Sequence, residues 1–263
     1  MTNWTEEALE DVVKLYENNT YEEIQQHLQK KHKIKKSKNA IRKAYYRKVR
    51  GSKPRIHKEP KVLLLDIETC PILGHVWALW NNNVALNQME KDWHILSWSA
   101  KWLNDPPNKV MYQDQRNAKN IEDDSKLLAG IWKLMDEADV IVGQNSKSFD
   151  IKKLNARFIM NGFAPPSSYK QIDTKEIAKK YFAFTSNRLE YMSDKLNKKY
   201  KKQKHAKFSG FELWKECLAG NIKAWKEMEK YNKYDVLSLE ELYRKLIPWD
   251  KSAHNFNLYH DEE

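Results

Sequence analysis

The segment Lys61-Val-Leu-Leu-Leu-Asp-Ile-Glu68 decides how the rest of the chain is interpreted. Its apolar run ends in two acids and predicts a buried strand. Successive side chains of a strand alternate between its faces, so Asp66 and Glu68 are expected on the same face. Two adjacent carboxylates repel each other, which is costly unless a cation binds there. A solvated strand end is the simpler explanation for one such pair taken alone.

The residues after this strand indicate an α/β domain over 61–250, followed by a polar tail at 251–263. Further strands are predicted at Gly74–Trp80, His94–Leu103, Lys109–Gln113 and Asp139–Gly143, with a short one ending at Asp173. Helices are predicted at 121–137 and Phe149–Met160, and helical segments dominate from Asp173 to Leu246. Strands followed by helices mixed with single strands predict a mixed sheet with flanking helices.

Residues 1–50 predict a separate unit of three short helices, and 51–60, with two prolines, predicts a linker. Thr20 and Glu23 have capping-box spacing at the start of the second helix. The inner face of the third helix is expected to carry Ile41, Ala44, Tyr45 and Val49. Its outer face is expected to carry Lys38, Asn39, Arg42, Lys43, Tyr46, Arg47 and Arg50.

This layout resembles Myb/SANT-like and phage-type helix-turn-helix domains. The resemblance rests on Trp4-Thr-Glu-Glu7, Thr20-Tyr-Glu-Glu-Ile24 and Ser37-Lys-Asn-Ala-Ile41. It implies that the outer face of the third helix binds DNA. A three-helix bundle that binds a protein is the alternative interpretation.

The positive charge is concentrated in one block. The formal net charge is +11, and Lys30 to Lys61 holds fifteen Lys or Arg residues against one acid, Glu59. That block carries +14 and leaves −3 on the remaining chain. A basic block of this kind suggests phosphate contacts. A solvated, flexible basic arm is the alternative.

Several classes of protein are excluded by composition and motifs. The longest apolar run, Val76 to Trp80, is far shorter than the roughly 20 residues of a membrane span. The N-terminus lacks a secretion-signal pattern, and Cys70 and Cys217 form no CxxC pair, so a reducing, cytoplasmic location is expected. The Lys/Asn-rich composition is compatible with a bacterial or phage source. The eight histidines show no metal-ligand spacing, and nucleotide-loop, HExxH and GxSxG motifs are absent from the sequence.

Two further acidic patterns follow the Asp66–Glu68 pair. The first is Gly143-Gln-Asn-Ser-Lys-Ser-Phe-Asp150, which leads into a helix with Leu154 and Arg157. The second is Tyr231-Asn-Lys-Tyr-Asp235, whose ends share one face of a late helix. Taken separately, Asp150 is explained by the helix macrodipole and the Tyr/Asp pair by a solvated surface.

Taken together, Asp66-Ile-Glu-Thr69, Asn145 to Asp150 and Tyr231 to Asp235 resemble the three exonuclease motifs of the DEDD superfamily. The tyrosine points to its DEDDy branch, and the likeness is greatest to the 3′–5′ exonuclease domain of family B DNA polymerases. The resemblance covers about 61–247 and implies an RNase H-like fold in a free-standing exonuclease, since the chain is too short for a polymerase.

The resemblance also implies roles for individual residues. Four acids would hold two divalent cations, Mg²⁺ or Mn²⁺: Asp66, Glu68, Asp150 and Asp235. Tyr231 would orient the attacking water, and Thr69, Asn145 and Phe149 would contact the 3′-terminal nucleotide. The chemistry is consistent, because two cations about 3.5–4 Å apart activate water and neutralise a departing oxygen. All-carboxylate ligands suit Mg²⁺ or Mn²⁺ better than zinc.

The remaining features have two interpretations each. Asp173, with Glu176, is interpreted as a helix cap rather than a fifth metal ligand. Most of Trp77, Trp80, Trp93, Trp98 and Trp102 are expected in the core, with base stacking as the alternative. Lys195 to Lys207 predicts either a phosphate track or a solvated lysine loop.

The partner expected from these patterns is nucleic acid, with no membrane association. A basic helix-turn-helix favours DNA over RNA, because side chains read the major groove of A-form RNA poorly. Replication or repair proteins are possible further partners. The alternatives are an exoribonuclease, a structure-selective endonuclease and a catalytically inert DNA-binding protein.

Overall fold

The protein divides into two compact units, Met1–Lys58 and Glu59–Glu263. A computed structural model describes residues 4–16, 19–49, 60–201 and 207–251. The linker predicted at 51–60 and the tail predicted at 251–263 lie almost entirely outside these described residues.

The smaller unit contains three helices, as the sequence predicts. They are α1 (Glu6–Leu15), α2 (Tyr21–His32) and α3 (Lys38–Val49). Thr5 caps α1, and the predicted capping box of α2 is present between Thr20 and Glu23. Ser37 Oγ accepts a hydrogen bond from the Ala40 amide at the start of α3 (3.3 Å). Each cap satisfies amides that a helix start leaves unpaired.

One apolar cluster joins the three helices of the smaller unit. Its buried members are Ala8, Val12, Ile24, Leu28, Ile34, Ile41 and Tyr45. The rings of Tyr16 and Tyr45 stack with centroids 3.8 Å apart. Tyr46, predicted on the outer face, is half-buried and packs against this cluster instead. Its large ring lies 6.0 Å from that of Tyr16, because burying an aromatic side chain is more favourable than exposing it.

The larger unit is an α/β domain. Its strands are β1 (Val62–Thr69), β2 (Leu73–Gly74), β3 (Met89–Lys91), β4 (Ile95–Trp102), β5 (Met111–Asp114), β6 (Val140–Gly143) and β7 (Lys170–Asp173). Its helices are α4 (Ser125–Glu137), α5 (Asp150–Met160), α6 (Thr174–Tyr181), α7 (Leu189–Leu196), α8 (Glu212–Leu218) and α9 (Ile222–Leu246).

Five strands form one mixed sheet in the order β5-β4-β1-β6-β7. The central strand β1 runs antiparallel to β4 and parallel to β6, and β7 continues the parallel half. Leu63, Leu64 and Leu65 are each no more than 1% exposed. A strand covered on both faces carries a continuous apolar run, which is why β1 occupies the centre. The sheet confirms the predicted mixed α/β architecture.

Helices cover both faces of this sheet. In β4, Trp98 Nε1 donates a hydrogen bond to the Leu127 carbonyl of α4 (2.9 Å). The preceding residue, Ser97, donates through Oγ to Asn232 Oδ1 of α9 (3.2 Å). Because neighbouring strand residues point to opposite faces, α4 and α9 lie on opposite sides of the sheet. Among the described helices, none has the length and apolar character needed to cross a lipid bilayer.

The strand predicted at Gly74–Trp80 is wrong. Only Leu73–Gly74 pairs with β3, and the following apolar run is solvent-exposed, with Trp77 99% and Trp80 82% exposed. The run does not alternate apolar and polar residues, so neither of its faces fits a half-buried sheet. Of the five tryptophans expected mostly in the core, Trp98 is buried, whereas Trp77 and Trp80 contradict the expectation.

Glu241 of α9 fixes the segment that follows α7. Its carboxylate accepts hydrogen bonds from the backbone amides of Lys198, Lys199 and Tyr200, at 2.5, 3.1 and 2.9 Å. Lys245 Nζ donates to the same carboxylate (3.1 Å). Burial raises the pKa of Glu241, but these donors outweigh burial and lower it to about 2.

This depressed pKa predicts a loss of stability in acid. The ionised glutamate stabilises the fold above its ordinary pKa of 4.5, and that stabilisation is lost as the pH falls towards 2. We expect Glu241→Gln to lower the free energy of unfolding at pH 7 by up to about 3 kcal/mol, by less in acid. Urea unfolding at several pH values measures this, with the exposed Glu190→Gln as control. Equal acid sensitivity in Glu241→Gln and the unsubstituted protein would contradict it.

Candidate active site

The end of β1 places two carboxylates on the face covered by α9. Asp66 pairs with Ser99 of β4, and Glu68 pairs with Ser97. Paired residues of antiparallel strands share a face, and Ser97 contacts α9, so both acids lie on the α9 side. The register shifts between Glu68 and Thr69, and Thr69 then pairs with Ile95 as the last residue of the strand. The prediction that Asp66 and Glu68 share one face is therefore confirmed.

Asp150 reaches this strand end from the first position of α5. It is 3% exposed, and its Oδ1 accepts a hydrogen bond from the backbone amide of Ile67 (3.1 Å). Ile67 lies between the two acids of β1, so the contact brings the second acidic pattern beside the first. Burial raises the pKa of Asp150 above its usual range, and the charge of Asp173 raises it further, while the Ile67 amide opposes both.

The third acidic pattern lies on α9. Asn232, a residue within it that sequence patterns did not single out, connects α9 to β1. Asn232 is fully buried, and its Nδ2 donates to Asp66 Oδ2 (2.6 Å) while Ser97 donates to its Oδ1. Tyr231 precedes Asn232, and Asp235 follows it by three residues, about 5–6 Å away on the helix surface. Asp235 is 3% exposed. In the sequence, the role of Asn232 is indicated only by its position as a polar amide among the apolar residues that α9 buries.

The donor chemistry of these four acids fits a hard divalent cation. Carboxylate oxygens are the ligands that Mg²⁺ and Mn²⁺ prefer. Asp150 and Asp235 are buried and Asp66 and Glu68 are half-buried, so positive charge nearby would stabilise them. No three of them place ligand oxygens within 4.8 Å of one another, and within the described ranges only Asp11, His27 and His32 do so. The fold therefore brings α5, with Asp150, and α9, with Asp235, to the strand end that carries Asp66 and Glu68, without closing a single coordination sphere.

The three predicted substrate contacts have different surroundings. Phe149 is 38% exposed directly before Asp150, and Thr69 is half-buried at the end of β1. Asn145 has a left-handed backbone (φ 62°), and its Oδ1 accepts hydrogen bonds from Ser148 Oγ (2.7 Å) and Lys175 Nζ (3.0 Å). The side chain of Asn145 thus stabilises its own loop, whereas Phe149 is open to solvent.

Asp173 has the capping role predicted for it. Its carboxylate caps α6 by accepting a hydrogen bond from the Lys175 amide (2.9 Å). The same carboxylate accepts from the amides of Asn145 (2.8 Å) and Lys147 (3.1 Å). Asp173 therefore also holds the loop that leads to Asp150, which the sequence did not indicate.

A cationic and aromatic group lies beside Phe149. Lys153 Nζ lies 3.5 Å from the ring centroid of Trp93 and 5.9 Å from that of Phe149. Burial lowers the pKa of Lys153. Trp93, one of the tryptophans assigned to core or stacking, is only half-buried. The sequence analysis did not predict a role for Lys153. Its position three residues after Asp150 places both side chains on one face of α5, which is the only sequence pattern that connects them.

Comparison with known proteins identifies the larger unit. A model of the RNase H superfamily matches residues 99–247, more than half of the chain. The family B DNA polymerase from the hyperthermophilic archaeon Pyrobaculum calidifontis is similar in fold, with a TM-score of 0.54 and 17% identity. The similarity covers 73% of this chain and 25% of the polymerase, so the chain spans about a quarter of that protein's length. No curated protein has a matching sequence.

The superfamily match supports a nuclease activity in general and is consistent with the use of divalent metal ions. The mixed five-stranded sheet and its flanking helices agree with that assignment. This chain belongs to the RNase H superfamily.

Proposed function

We propose that the protein is a metal-dependent 3′–5′ exonuclease that hydrolyses DNA. One observation carries the proposal: residues from three distant parts of the sequence meet at the end of β1. Asp150 contacts the amide of Ile67, and Asn232 contacts Asp66, so α5 and α9 both bring their acids to the Asp66–Glu68 pair. The sequence patterns resemble the DEDDy motifs, and their meeting point supports that resemblance.

The proposed chemistry divides between cations and side chains. Two divalent cations held by Asp66, Glu68, Asp150 and Asp235 would supply Lewis acidity for phosphodiester hydrolysis. Tyr231 orients the attacking water. Phe149, with Trp93 beside it, stacks on the terminal base, since exposed aromatic rings bind single strands by stacking. Lys153 supplies positive charge for the phosphate next to the carboxylates.

End-labelled substrates test the proposal. Single-stranded DNA, duplex DNA and RNA are incubated with Mg²⁺ or Mn²⁺, and the products are sized over time. We expect 5′-labelled DNA to shorten stepwise from its 3′ end, a blocked 3′ end to resist, and EDTA to stop cleavage. Faster digestion of RNA would indicate an exoribonuclease, and cleavage of blocked substrates an endonuclease. Binding without cleavage of any substrate would indicate an inert binding protein.

Tyr231→Phe is expected to slow hydrolysis without unfolding the domain. The ring of Tyr231 packs edge-on against Trp214, with centroids 6.4 Å apart, and phenylalanine keeps that packing. Loss of a group that assists proton transfer costs about 10²–10⁴-fold, and water positioning alone is worth less, so we expect about 10–100-fold. Single-turnover rates measure the effect, with Tyr234→Phe on the same helix as control. An unchanged rate would make Tyr231 a packing residue.

We also propose that the smaller unit anchors the enzyme on duplex DNA through α3. Lys38, Asn39 and Lys43 are exposed, and Arg42 is half-buried. Lys38 forms an ion pair with Glu22. Binding of a DNA phosphate by Lys38 must break this ion pair or bring the phosphate close to Glu22. The side chain of Arg47 lies outside the described part of the structure.

Replacing Lys38, Arg42, Lys43 and Arg47 together with alanine tests the anchoring role. We expect weaker binding to long duplex DNA and a nearly unchanged cleavage rate on a short single strand. Each lost phosphate contact should flatten the slope of log K against log salt by about 0.9. Fluorescence anisotropy over a salt series measures both quantities. Unaltered duplex affinity would favour a protein partner for this unit, and Lys195 to Lys207 would become the next candidate phosphate track.

A further inference from the structure

Two histidines of α2 converge on one aspartate of α1 in the smaller unit. His27 Nε2 lies 2.9 Å from Asp11 Oδ2, and His32 Nε2 lies 2.7 Å from the same oxygen. The three ligand atoms lie within 4.8 Å of one another. Asp11 lies 16 and 21 positions before the two histidines, whereas His27 and His32 are separated by four residues, a spacing within the H-x3–5-H range of zinc ligands. This cluster corrects the expectation that the histidines are scattered without metal-ligand geometry.

The same oxygen also accepts a hydrogen bond from Lys31 Nζ (2.7 Å). A carboxylate oxygen has two lone-pair sites, so three donors oversubscribe Asp11 Oδ2. Replacing the two imidazole N–H donors with one cation removes this crowding. The ε-ammonium of Lys31 can then turn to solvent, because its side chain is 56% exposed.

The distances are close to those of a zinc site. Zinc binds imidazole nitrogen and carboxylate oxygen at about 2.0–2.2 Å, which separates tetrahedral ligand atoms by roughly 3.3–3.5 Å. The separations of 2.7 and 2.9 Å from Asp11 Oδ2 need an expansion of only about half an ångström. Two histidines, one carboxylate and a water are an established zinc ligand set. Each ring would carry its proton on Nδ1, so that the Nε2 lone pair faces the metal.

The location is also suited to a cation. His32 is the last residue of α2, where the negative end of the helix dipole lies. The side chains of Asp11 and His32 are only 13% and 7% exposed, whereas His27, at 37%, leaves an entry path and room for a water ligand. A unit of this size has a small core, and metal ions commonly stabilise such domains. Its sequence contains no cysteine for a disulfide.

We propose that Asp11, His27 and His32 form a zinc site that links α1 to α2 and stabilises the smaller unit. This site is independent of the carboxylates at the end of β1. Its ligand set differs from theirs, because imidazole selects zinc over Mg²⁺.

Isothermal titration of the full-length protein with Zn²⁺, in the presence of millimolar Mg²⁺ and a competing chelator, tests the site. Mg²⁺ occupies all-oxygen sites and leaves the histidines free. We expect one zinc per chain at this site and an increase in the unfolding temperature of the smaller unit. Losing a residue that only supports a metal ligand costs about 10–100-fold in metal affinity. His27→Gln and His32→Gln each remove a ligand itself, so each should weaken zinc binding by at least that factor. His75→Gln, an exposed histidine of the larger unit, should bind zinc normally.

Lys31→Gln keeps the test decisive if a histidine variant fails to fold. Lysine competes with the metal for Asp11, so its removal should raise zinc affinity while lowering the stability of the metal-free unit. If Asp11, His27, Lys31 and His32 form only an ion-pair network, Lys31→Gln should lower stability without raising zinc affinity. Unchanged zinc affinity in folded His27→Gln and His32→Gln would overturn the proposal. If those variants do not fold, zinc affinity that fails to rise in Lys31→Gln would overturn it.

Discussion

Asp66→Asn is expected to abolish hydrolysis while leaving DNA binding intact. The substitution removes a charge from the β1 end but keeps the shape of the side chain that contacts Asn232 (2.6 Å). Loss of one neutral oxyanion donor costs an enzyme about 10²–10³ in kcat, and loss of a charged metal ligand should cost more. Asp235→Asn should have the same effect, because Asp235 lies three residues after Asn232 on α9, and Asn232 contacts Asp66.

Rates on 5′-labelled DNA and binding measured by anisotropy separate the two properties. Asp194→Asn is the matched control, since Asp194 is 59% exposed and pairs only with surface lysines in the described structure. Circular dichroism and urea unfolding verify that each variant is folded. Full activity in both Asp66→Asn and Asp235→Asn, with no inhibition by EDTA, would reject the metal site at β1.

The predictable parts of the fold were those with strong local patterns. The apolar run of β1 and the short apolar run of β6 mark strands buried on both faces, and both formed as predicted. The capping box at Thr20 placed the start of α2 correctly. The run from Gly74 to Trp80 is equally apolar, but no sheet face receives it, and sequence hydrophobicity does not show whether a partner surface exists.

The candidate site divides in the same way. Its acids were predicted because they belong to motifs with fixed local spacing. Asn232, which connects Asp66 to α9, was missed because its partner lies 166 positions away in the sequence. Asp11 was missed for the same reason, because it meets His27 and His32 only when α1 packs against α2, although the spacing of the two histidines is visible in the sequence. Tertiary contacts between isolated polar residues leave no periodic signal in a single sequence.

Arg157 gives the second large expected effect, on stability. The sequence placed it after the Asn145–Asp150 motif without assigning a role. Its Nε and Nη2 each donate to the carboxylate of Asp124 at 2.8 Å, and that carboxylate also accepts from the Ile95 amide of β4 (2.9 Å). The side chain of Asp124 is fully buried, and that of Arg157 is 11% exposed. The pair therefore ties α5 to β4 and to the start of α4.

Arg157→Leu leaves the buried charge of Asp124 without its guanidinium and should lower the free energy of unfolding by about 3–5 kcal/mol. Urea unfolding measures the loss, and Arg244→Gln, which breaks a surface ion pair with Glu240, should cost less than about 1 kcal/mol. Adding Asp124→Asn to Arg157→Leu should recover part of the loss, because the buried charge is then removed as well. Since α5 begins with Asp150, loosening this helix should also reduce hydrolysis at temperatures where the variant remains folded. Stability losses of equal size in Arg157→Leu and Arg244→Gln would show that the pair at Asp124 is no stronger than a surface contact, and Asp150 would have to be positioned by its bond to Ile67 alone.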